Sequence, residues 1–211
     1  MRLGGIANPD QAMLRELAPD LVLVNRSPGG PYAAASIDLD LVTYPISIRT
    51  VTSAIEALAN LAHTLGTTEA AASLLRAARQ AQEQAYERQY QRRMRRVVAF
   101  TWREPWVAIG GDTYSDDLLR LCGGENVALR MPGRTPRASL DTFVRNNPEV
   151  ILLAAGPYPF ASADRDAFWR YGDVSAVAHA RIRICEAQLL THFGTRIPEA
   201  IDTISALIHD D

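Results

Sequence analysis

The residues from Thr67 to Arg96 constrain the fold more than any other part of the chain. This run of about 30 residues contains neither Gly nor Pro and is rich in Ala, Leu, Gln, Glu and Arg, which are strong helix formers. At 1.5 Å per residue, one continuous helix would extend roughly 45 Å. Its first half places Leu74, Ala78, Ala81 and Ala85 on one face, while its second half is polar nearly all round. That pattern is typical of a half-solvated helix that bridges two domains.

The remainder of the chain alternates strands with helices. After residue 96 we predict strands at 97–101, 150–153 and 182–185, and helices at 115–122, 139–146, 163–171 and 198–208. This alternation indicates an α/β sandwich around a parallel sheet. Before residue 67 the chain offers a short helix at 9–18, strands at 21–24 and 39–44, and a helix from Thr52 or Ser53 to Leu65. The predicted division is therefore a partial domain at 1–66, a bridging helix at 67–96 and an α/β lobe at 97–211.

The composition argues against a nucleic-acid-binding protein and against a membrane-spanning one. The formal net charge of −2 gives no electrostatic reason to bind nucleic acid, whose phosphates require a basic face. No apolar run reaches the roughly 18–20 residues that span a bilayer. Met1-Arg2 leads directly into a polar segment, which is not a signal peptide. As written, the chain is expected to remain in the cytoplasm.

Two indoles occupy a loop at the end of a predicted strand. Trp102 and Trp106 follow the strand at 97–101 and precede a second apolar run that ends at Gly110-Gly111. Exposed indoles are costly in water, so the fold either covers them or offers them to a large flat ligand. Phe168 and Trp169 instead lie in a helical context, where we expect both to be core residues.

Several segments resemble the substrate-binding proteins of ABC importers for cobalamin, ferric siderophores and haem, the class joined by one long backbone helix. The resemblance is strongest to the cobalamin-binding branch and covers nearly all of the chain in the family's order. The matching segments are GGIANPD, LAPDLVLVN, WREPWVAIGGDT (102–113), LLRLCGGENV (118–127), SLDTFVRNNPEVILL (139–153), AGPYPF (155–160) and FGTRIPEAI (193–201).

This resemblance implies two lobes joined by one backbone helix, with a complete α/β second lobe and an incomplete first lobe. Family members begin with a further strand–helix–strand section behind a signal peptide, and this chain does not match that section. The implied function is non-enzymatic: the protein captures a corrinoid such as cobalamin, or a related metal chelate, and delivers it to an ABC permease. The place of action would be the periplasm or the extracellular face of the membrane. The incomplete lobe would leave an open sheet edge, which favours a homodimer.

The ligand is expected at the carboxyl ends of the strands, where open α/β sheets form their crevice. Aromatic faces would stack on a flat chelate, and guanidinium groups would bind its carboxylates or phosphate. The predicted ligand-binding residues are Trp102, Arg103, Trp106, Arg134, Thr135, Tyr158, Phe160, His192, Phe193, Asn25 and Tyr44, with Arg130 and Arg137 on the same loop as Arg134.

The family docks on its permease through one acidic residue on each lobe. In the second lobe that position is Asp141, where the family usually has Glu. In the first lobe the equivalent position is Ala12, with Asp10 and Glu16 nearby but out of register. Asp141 is therefore the predicted docking residue, although an acid at that place also stabilises a helix N-terminus.

Two other functions stay open. The chain could be a remnant of the family that binds no ligand. It could also be a small α/β enzyme acting on a phosphorylated substrate, with Gly110–Thr113 as a phosphate cradle and Arg134 nearby. The four histidines have no metal-ligand spacing, and no nucleophile is paired with a base. Cys122 and Cys185 are expected to be buried thiols or a disulfide.

Overall fold

The structure is a computed structural model that describes residues 4–5, 8–25 and 41–210. It divides into two compact units, residues 1–48 and residues 49–211, and each unit is described by itself. Both units contain helices and strands, so the α/β class expected from the sequence is confirmed.

The N-terminal unit contains two small strand pairs and one helix. Strands β1 (Gly4–Gly5) and β2 (Asn8–Pro9) are antiparallel, and helix α1 spans Gln11–Leu17. Asp10 caps this helix, since its carboxylate accepts a bond from the Met13 amide at 3.0 Å. Strands β3 (Val22–Asn25) and β4 (Thr43–Ile46) are parallel to each other. The second strand was expected at 39–44, of which residues 39–40 lie outside the described residues.

Two helices open the second unit. Helix α2 (Val51–Thr64) is capped by Thr50, whose hydroxyl accepts a bond from the Ser53 amide at 3.0 Å. Gly66, with φ of +67°, then lets the chain turn into helix α3 (Thr68–Gln91). The predicted helix at 67–96 was too long at its end. Strand pairing takes precedence there over the helical propensity of arginine, because Arg95 and Arg96 pair with Gly124 and Glu125.

Helix α3 packs along one face against other helices of its unit. Its buried residues are Leu75, Ala78, Ala81 and Ala85, so Leu75 takes the place expected for Leu74. The partners of α3 are α2, helix α4 (Tyr114–Leu121) and helix α8 (Ile197–His209). Small alanine side chains on this face let the helix axes approach closely, which fixes α3 to the second unit.

A six-stranded mixed sheet forms the centre of the second unit. Its strands are β5 (Arg95–Trp102), β6 (Trp106–Ala108), β7 (Gly124–Asn126), β8 (Arg137–Ala138), β9 (Val150–Ala155) and β10 (Ile182–Glu186). The order is β10–β9–β5–β6–β8, and β7 lies beside the first half of β5. The expectation of a parallel sheet was wrong for β6, which runs antiparallel to β5 because only the short turn 103–105 connects them.

Helices cover the sheet and complete the core. Helices α5 (Leu140–Val144) and α6 (Ser175–Ala178) and the 3₁₀ helix Ser162–Tyr171 follow β8 and β9, and α7 (Ala187–Thr191) follows β10. Phe143 of α5 and Phe168 of the 3₁₀ helix are fully buried against Phe100 of β5. Phe168 is therefore the core residue that its helical context predicted.

Two further sequence expectations concern this unit. Trp169 was expected in the core but is 79% exposed, because the 3₁₀ helix turns its neighbour Phe168 inward instead. Cys122 and Cys185 are buried free thiols, and burial raises the pKa of each to about 12. Within the described ranges, no helix has both the length and the apolar character needed to cross a membrane.

Candidate ligand-binding site

Three parallel strands end at one edge of the sheet in the second unit. Strand β5 ends at Trp102, β9 at Ala155 and β10 at Glu186, and β9 lies between the other two. Because β6 is antiparallel to β5, its first residue, Trp106, starts at the same edge. Ligands of open α/β sheets bind beyond the carboxyl ends of the strands, so this edge is the candidate site.

A groove of about 280 Å³ opens beside Trp102. The indole is 41% exposed, and its ring meets the Tyr158 ring edge-on with the centroids 5.7 Å apart. The lining residues are Thr101, Trp102, Pro105, Val107, Thr135, Arg137 and Pro157. An aromatic face and proline rings therefore lie beside a guanidinium and hydroxyls, which together suit a flat ligand with anionic or acceptor groups at its rim.

Trp106 and Phe160 lie in the aromatic core rather than on the groove wall. Trp106 is 9% exposed and stacks on Phe160 with the ring planes 18° apart. It also meets Phe100 edge-on at 4.8 Å and Phe168 at 5.4 Å. These contacts give Trp106 a structural role, and its contact with a ligand stays a prediction.

Arg103 and Tyr158 share one buried carboxylate. Arg103 Nη1 lies 2.6 Å from Asp164 Oδ1, and the Tyr158 hydroxyl donates to the same oxygen at 3.2 Å. The second oxygen, Oδ2, accepts a bond from the Ala161 amide at 2.8 Å. Burial alone would raise the pKa of Asp164, but these three donors outweigh burial and lower it. Asp164 therefore stays charged and holds two of the predicted ligand-binding side chains.

Sequence reasoning missed Asp164 as part of this region. An acid in the first turn of a helix is usually explained by its favourable interaction with the helix dipole. The partners of Asp164 come from the turn after β5 and the 155–160 loop, and nothing in the sequence around Asp164 indicates them. The groove residues Thr101, Pro105, Val107 and Pro157 were also missed, since none of these residue types indicates binding by itself.

The loop at 129–137 packs closely on the glycine pair that follows β6. The Gly110 amide donates to the Arg134 carbonyl at 2.9 Å, and the Ala108 amide donates to the Pro136 carbonyl at 3.0 Å. A Cβ on Gly110 would lie 2.5 Å from the Gly133 carbonyl oxygen, so only glycine allows this approach. These bonds hold Thr135 and Arg137 at the groove, and contact of either residue with a ligand stays a prediction.

His192 and Phe193 are placed away from the groove lining. Phe193 is half-buried, and its ring meets that of the buried Tyr114 edge-on at 5.8 Å. His192 is exposed at the end of α7. Asn25 and Tyr44 belong to the N-terminal unit, at the end of β3 and within β4. The roles of these four residues in binding stay predictions.

Asp141 is exposed on the first turn of α5. The Tyr171 hydroxyl donates to its Oδ1 at 2.8 Å, and Arg170 Nη2 lies 3.5 Å from its Oδ2. The Asp141 side chain is 61% exposed, so its carboxylate is oriented by two neighbours and still open to solvent. This geometry is compatible with docking but also with local stabilisation of the helix.

Asp112 and its neighbours have structural partners in the described part of the chain. Asp112 lies 2.9 Å from Arg49 Nη1, and Asp117 of α4 accepts a bond from the Val51 amide at 2.8 Å. Both contacts tie the start of α2 to α4 and the turn that precedes it. A carboxylate in the Gly110–Thr113 turn also disfavours a phosphate there. Over the described ranges, no cluster of three or more His, Cys, Asp or Glu side chains could hold a metal ion.

The arginines that follow α3 also have structural partners. Arg93 holds Glu149 through both terminal guanidinium nitrogens, at 2.6 and 3.3 Å, and the Arg96 amide donates to Glu149 at 3.1 Å. Glu149 is buried, and its bond to Arg93 lowers its pKa despite that burial. Arg95 Nη1 donates to the Ile208 carbonyl at 3.0 Å. Arg93, Arg95 and Arg96 therefore connect the start of β5, and the residues just before it, to neighbouring elements.

Comparison with known proteins decides the family. Residues 4–189 match the family described as periplasmic binding protein, which is most of the chain. The chain belongs to the periplasmic binding protein family. This family consists of binding proteins rather than enzymes, which is the class expected from the sequence.

One curated relative is the uncharacterized ABC transporter substrate-binding lipoprotein YvrC of Bacillus subtilis (strain 168). It is 26% identical to this periplasmic binding protein over 102 residues, which cover 48% of this chain and 31% of the relative. The matched region therefore spans about a third of the length of that relative.

Solved structures show the same fold. The periplasmic heme-binding protein BhuT, in complex with two hemes, has a TM-score of 0.82 at 22% identity, covering 99% of this chain and 81% of that one. The periplasmic vitamin B12 binding protein BtuF of Vibrio cholerae has a TM-score of 0.81 at 16% identity, covering 98% and 80%. At these identities the similarity is one of fold.

Proposed function

We propose that this chain acts as the substrate-binding component of an ABC importer and captures a corrinoid, such as cobalamin, or a related metal chelate. The observation that carries the proposal is the exposed indole of Trp102 beside the groove at the carboxyl edge of the sheet. Large aromatic side chains left partly exposed in a concave site are well suited to bind flat ligands.

The chemistry of the groove supports an anionic or acceptor-rich chelate. The indole and proline rings offer apolar area, while Arg137 and Thr135 offer donors at one side. A guanidinium binds carboxylates and phosphates with two parallel bonds, which fixes the orientation of the ligand as well as its charge. The relatives described as binding vitamin B12 and heme support ligands of this size and shape.

Asp141 is the proposed contact with the permease. Its carboxylate is exposed and oriented by Tyr171 and Arg170, so it can meet an arginine of a partner without a large rearrangement. Such rim charges mainly steer association and fix the orientation of the complex. The proposed place of action is the periplasm or the extracellular face of the membrane, which the lipoprotein relative from Bacillus subtilis supports.

The proposal is tested by calorimetric titration of the purified chain with cyanocobalamin, haemin and ferric enterobactin. We expect saturable binding of one ligand at micromolar or lower concentration. In Trp102→Ala the affinity should fall at least tenfold, about 1.4 kcal/mol. Removal of an aromatic side chain that stacks on a flat ring such as a nucleobase costs roughly 1–3 kcal/mol of binding free energy.

Trp169→Ala is the matched control. Trp169 is also an exposed indole, but it lies beside a separate groove of about 380 Å³ formed with Val177, Ala180 and Ile182. Its removal should leave the affinity unchanged. Failure of all three ligands to bind to a chain that is folded by circular dichroism would contradict the proposal and favour a family member that binds no chelate.

A further inference from the structure

The geometry points to Asp164 as the residue that positions Trp102 for stacking, acting through Arg103 and Tyr158; this inference rests on the proposed function. Asp164 does not line the groove, and its side chain is 10% exposed. It is therefore a positioning residue rather than a ligand contact.

A continuous series of contacts joins Asp164 to the exposed indole. Asp164 Oδ1 accepts from Arg103 Nη1 at 2.6 Å and from the Tyr158 hydroxyl at 3.2 Å. The Tyr158 ring in turn meets the Trp102 ring edge-on at 5.7 Å, with the planes 69° apart. Arg103 directly follows Trp102 in the chain, so the carboxylate fixes the indole from its backbone side and from its ring side.

The same bonds engage the polar groups of Arg103 and Tyr158, and neither side chain lines the groove. A guanidinium bonded to a buried carboxylate at 2.6 Å would lose that bond if it turned towards an anionic ligand. Leaving Asp164 charged and unpaired in a buried position would be strongly unfavourable. The Arg103 guanidinium also lies 5.8 Å over the Trp106 ring, which holds it against the aromatic core. Both residues therefore act on the ligand through Trp102.

A fixed indole improves binding for a thermodynamic reason. A side chain that is mobile before binding loses rotational freedom when a ligand orders it, and this loss weakens the affinity. The bonds of Asp164 hold the ring of Tyr158, against which the indole packs. The indole is therefore already ordered before binding, and this loss of freedom is avoided. The position of Trp102 should thus depend on Asp164 even without any ligand.

The test uses the full chain labelled with 5-fluorotryptophan, because its three tryptophans give three separate fluorine signals. Each signal is assigned with a Trp→Phe variant. The fluorine spectrum, the thermal unfolding midpoint and the dissociation constant for cyanocobalamin are then measured for Asp164→Asn and Tyr158→Phe. Tyr158→Phe removes only one hydrogen bond and retains the ring, so it stays informative if Asp164→Asn folds poorly.

Glu149→Gln is the matched control. Glu149 is likewise a buried carboxylate that binds an arginine, Arg93, at 2.6 Å and a backbone amide, with the Arg96 guanidinium 3.5 Å away, but it lies near the start of β9 rather than at the groove. Its replacement should lower the unfolding midpoint and leave both the Trp102 signal and cyanocobalamin binding unchanged.

We expect Asp164→Asn to shift or broaden the Trp102 signal, to leave the Trp169 signal unchanged and to weaken cyanocobalamin binding about tenfold. Tyr158→Phe should have a smaller effect in the same direction. The inference is overturned if Asp164→Asn behaves like Glu149→Gln, with a lower midpoint but an unchanged Trp102 signal. If the wild-type chain does not bind cyanocobalamin, the choice of ligand fails, while the ligand-free spectrum still decides whether Asp164 positions Trp102.

Discussion

The role of an individual side chain in this protein depends on its bonding partners rather than on its residue type. Arg103 has the residue type expected of a ligand contact, yet its guanidinium is bonded to Asp164 at 2.6 Å. Arg137 is of the same type and lines the groove. The difference arises because a buried carboxylate lies within reach of the Arg103 guanidinium, whereas Arg137 is exposed at the groove. Arginine in a loop therefore indicates binding only when its neighbours leave it available.

His209 provides a prediction at the residue scale. Its Nε2 lies 3.1 Å from the Cys122 carbonyl at the end of α4. Burial, followed by the charge of Arg92, lowers the pKa of His209 from its usual 6.5. The unfolded chain therefore takes up this proton at a higher pH than the folded chain. Its contribution to stability is present above pH 6.5 and is lost as the pH falls through the lowered pKa of the folded state.

Urea unfolding at a series of pH values between 7.5 and 5.0 measures this effect. The free energy of unfolding of the wild type should decline below pH 6.5, and the decline should be smaller in His209→Gln. The glutamine amide can still donate to the Cys122 carbonyl but does not titrate. Parallel curves for the two proteins would show that His209 is not responsible.

At the scale of elements, the loop at 129–137 is placed by the turn after β6. The glycine pair there allows two close backbone approaches, Gly110 to the Gly133 carbonyl and Gly111 to the Leu129 carbonyl. Backbone bonds from Ala108 and Gly110 then fix the segment that carries Thr135 and Arg137. One wall of the groove is consequently part of the strand framework rather than an independent loop.

Gly110→Ala should weaken this arrangement. The added Cβ would meet the Gly133 carbonyl oxygen at 2.5 Å and Pro136 at 2.7 Å, so the loop has to move. Inserting a methyl group into a close-packed site costs about 1–3 kcal/mol, which chemical denaturation measures directly. Binding of the titrated ligand should weaken as well, because Thr135 and Arg137 move with the loop.

Gly172→Ala is the control for that experiment. Gly172 has an ordinary helical φ of −56°, and a Cβ there would meet nothing within 4 Å. Its replacement should leave stability and binding almost unchanged. Equal effects of the two substitutions would show that the close approach at Gly110 is not important.

At the scale of the whole molecule, the two units differ in the support of their strands. In residues 49–211 the sheet has six strands and a large buried core, whereas in the described part of residues 1–48 the strands form separate pairs. Two-stranded sheets are marginal by themselves, and exposed strand edges favour pairing between molecules. Leu23 on β3 is 51% exposed, which adds apolar surface to that pair.

A fragment of residues 49–211 tests this difference. We expect the full chain to unfold in two thermal transitions, the first unit at the lower temperature. The fragment should fold alone, with an unfolding midpoint within a few degrees of the upper transition. The homodimer expected from the sequence remains a prediction. Sedimentation velocity should show concentration-dependent association of the full chain and none of the fragment. A full chain that stays monomeric at high concentration would contradict self-association through the first unit.

The sequence by itself determined the α/β class, the family and the strand end where the candidate site lies. These follow from local patterns, namely apolar runs, helix-forming runs and the segment around Trp102, which are complete within short stretches of chain. The predicted helix at 67–96 was too long at its end, where Arg95 and Arg96 meet β7 from a distant part of the chain. Helical propensity is a local preference, and a strand partner outweighs it.

The tertiary structure decided which aromatic and charged residues face the groove. Trp102 and Trp106 are equivalent in the sequence, but β6 turns back against β5 and buries Trp106 among Phe100, Phe160 and Phe168. The role of Asp164 follows only from the folded chain, which places the 3₁₀ helix beside Arg103 and Tyr158. Burial and pairing depend on contacts between residues far apart in the chain, so they follow from the folded structure and not from the pattern of residue types.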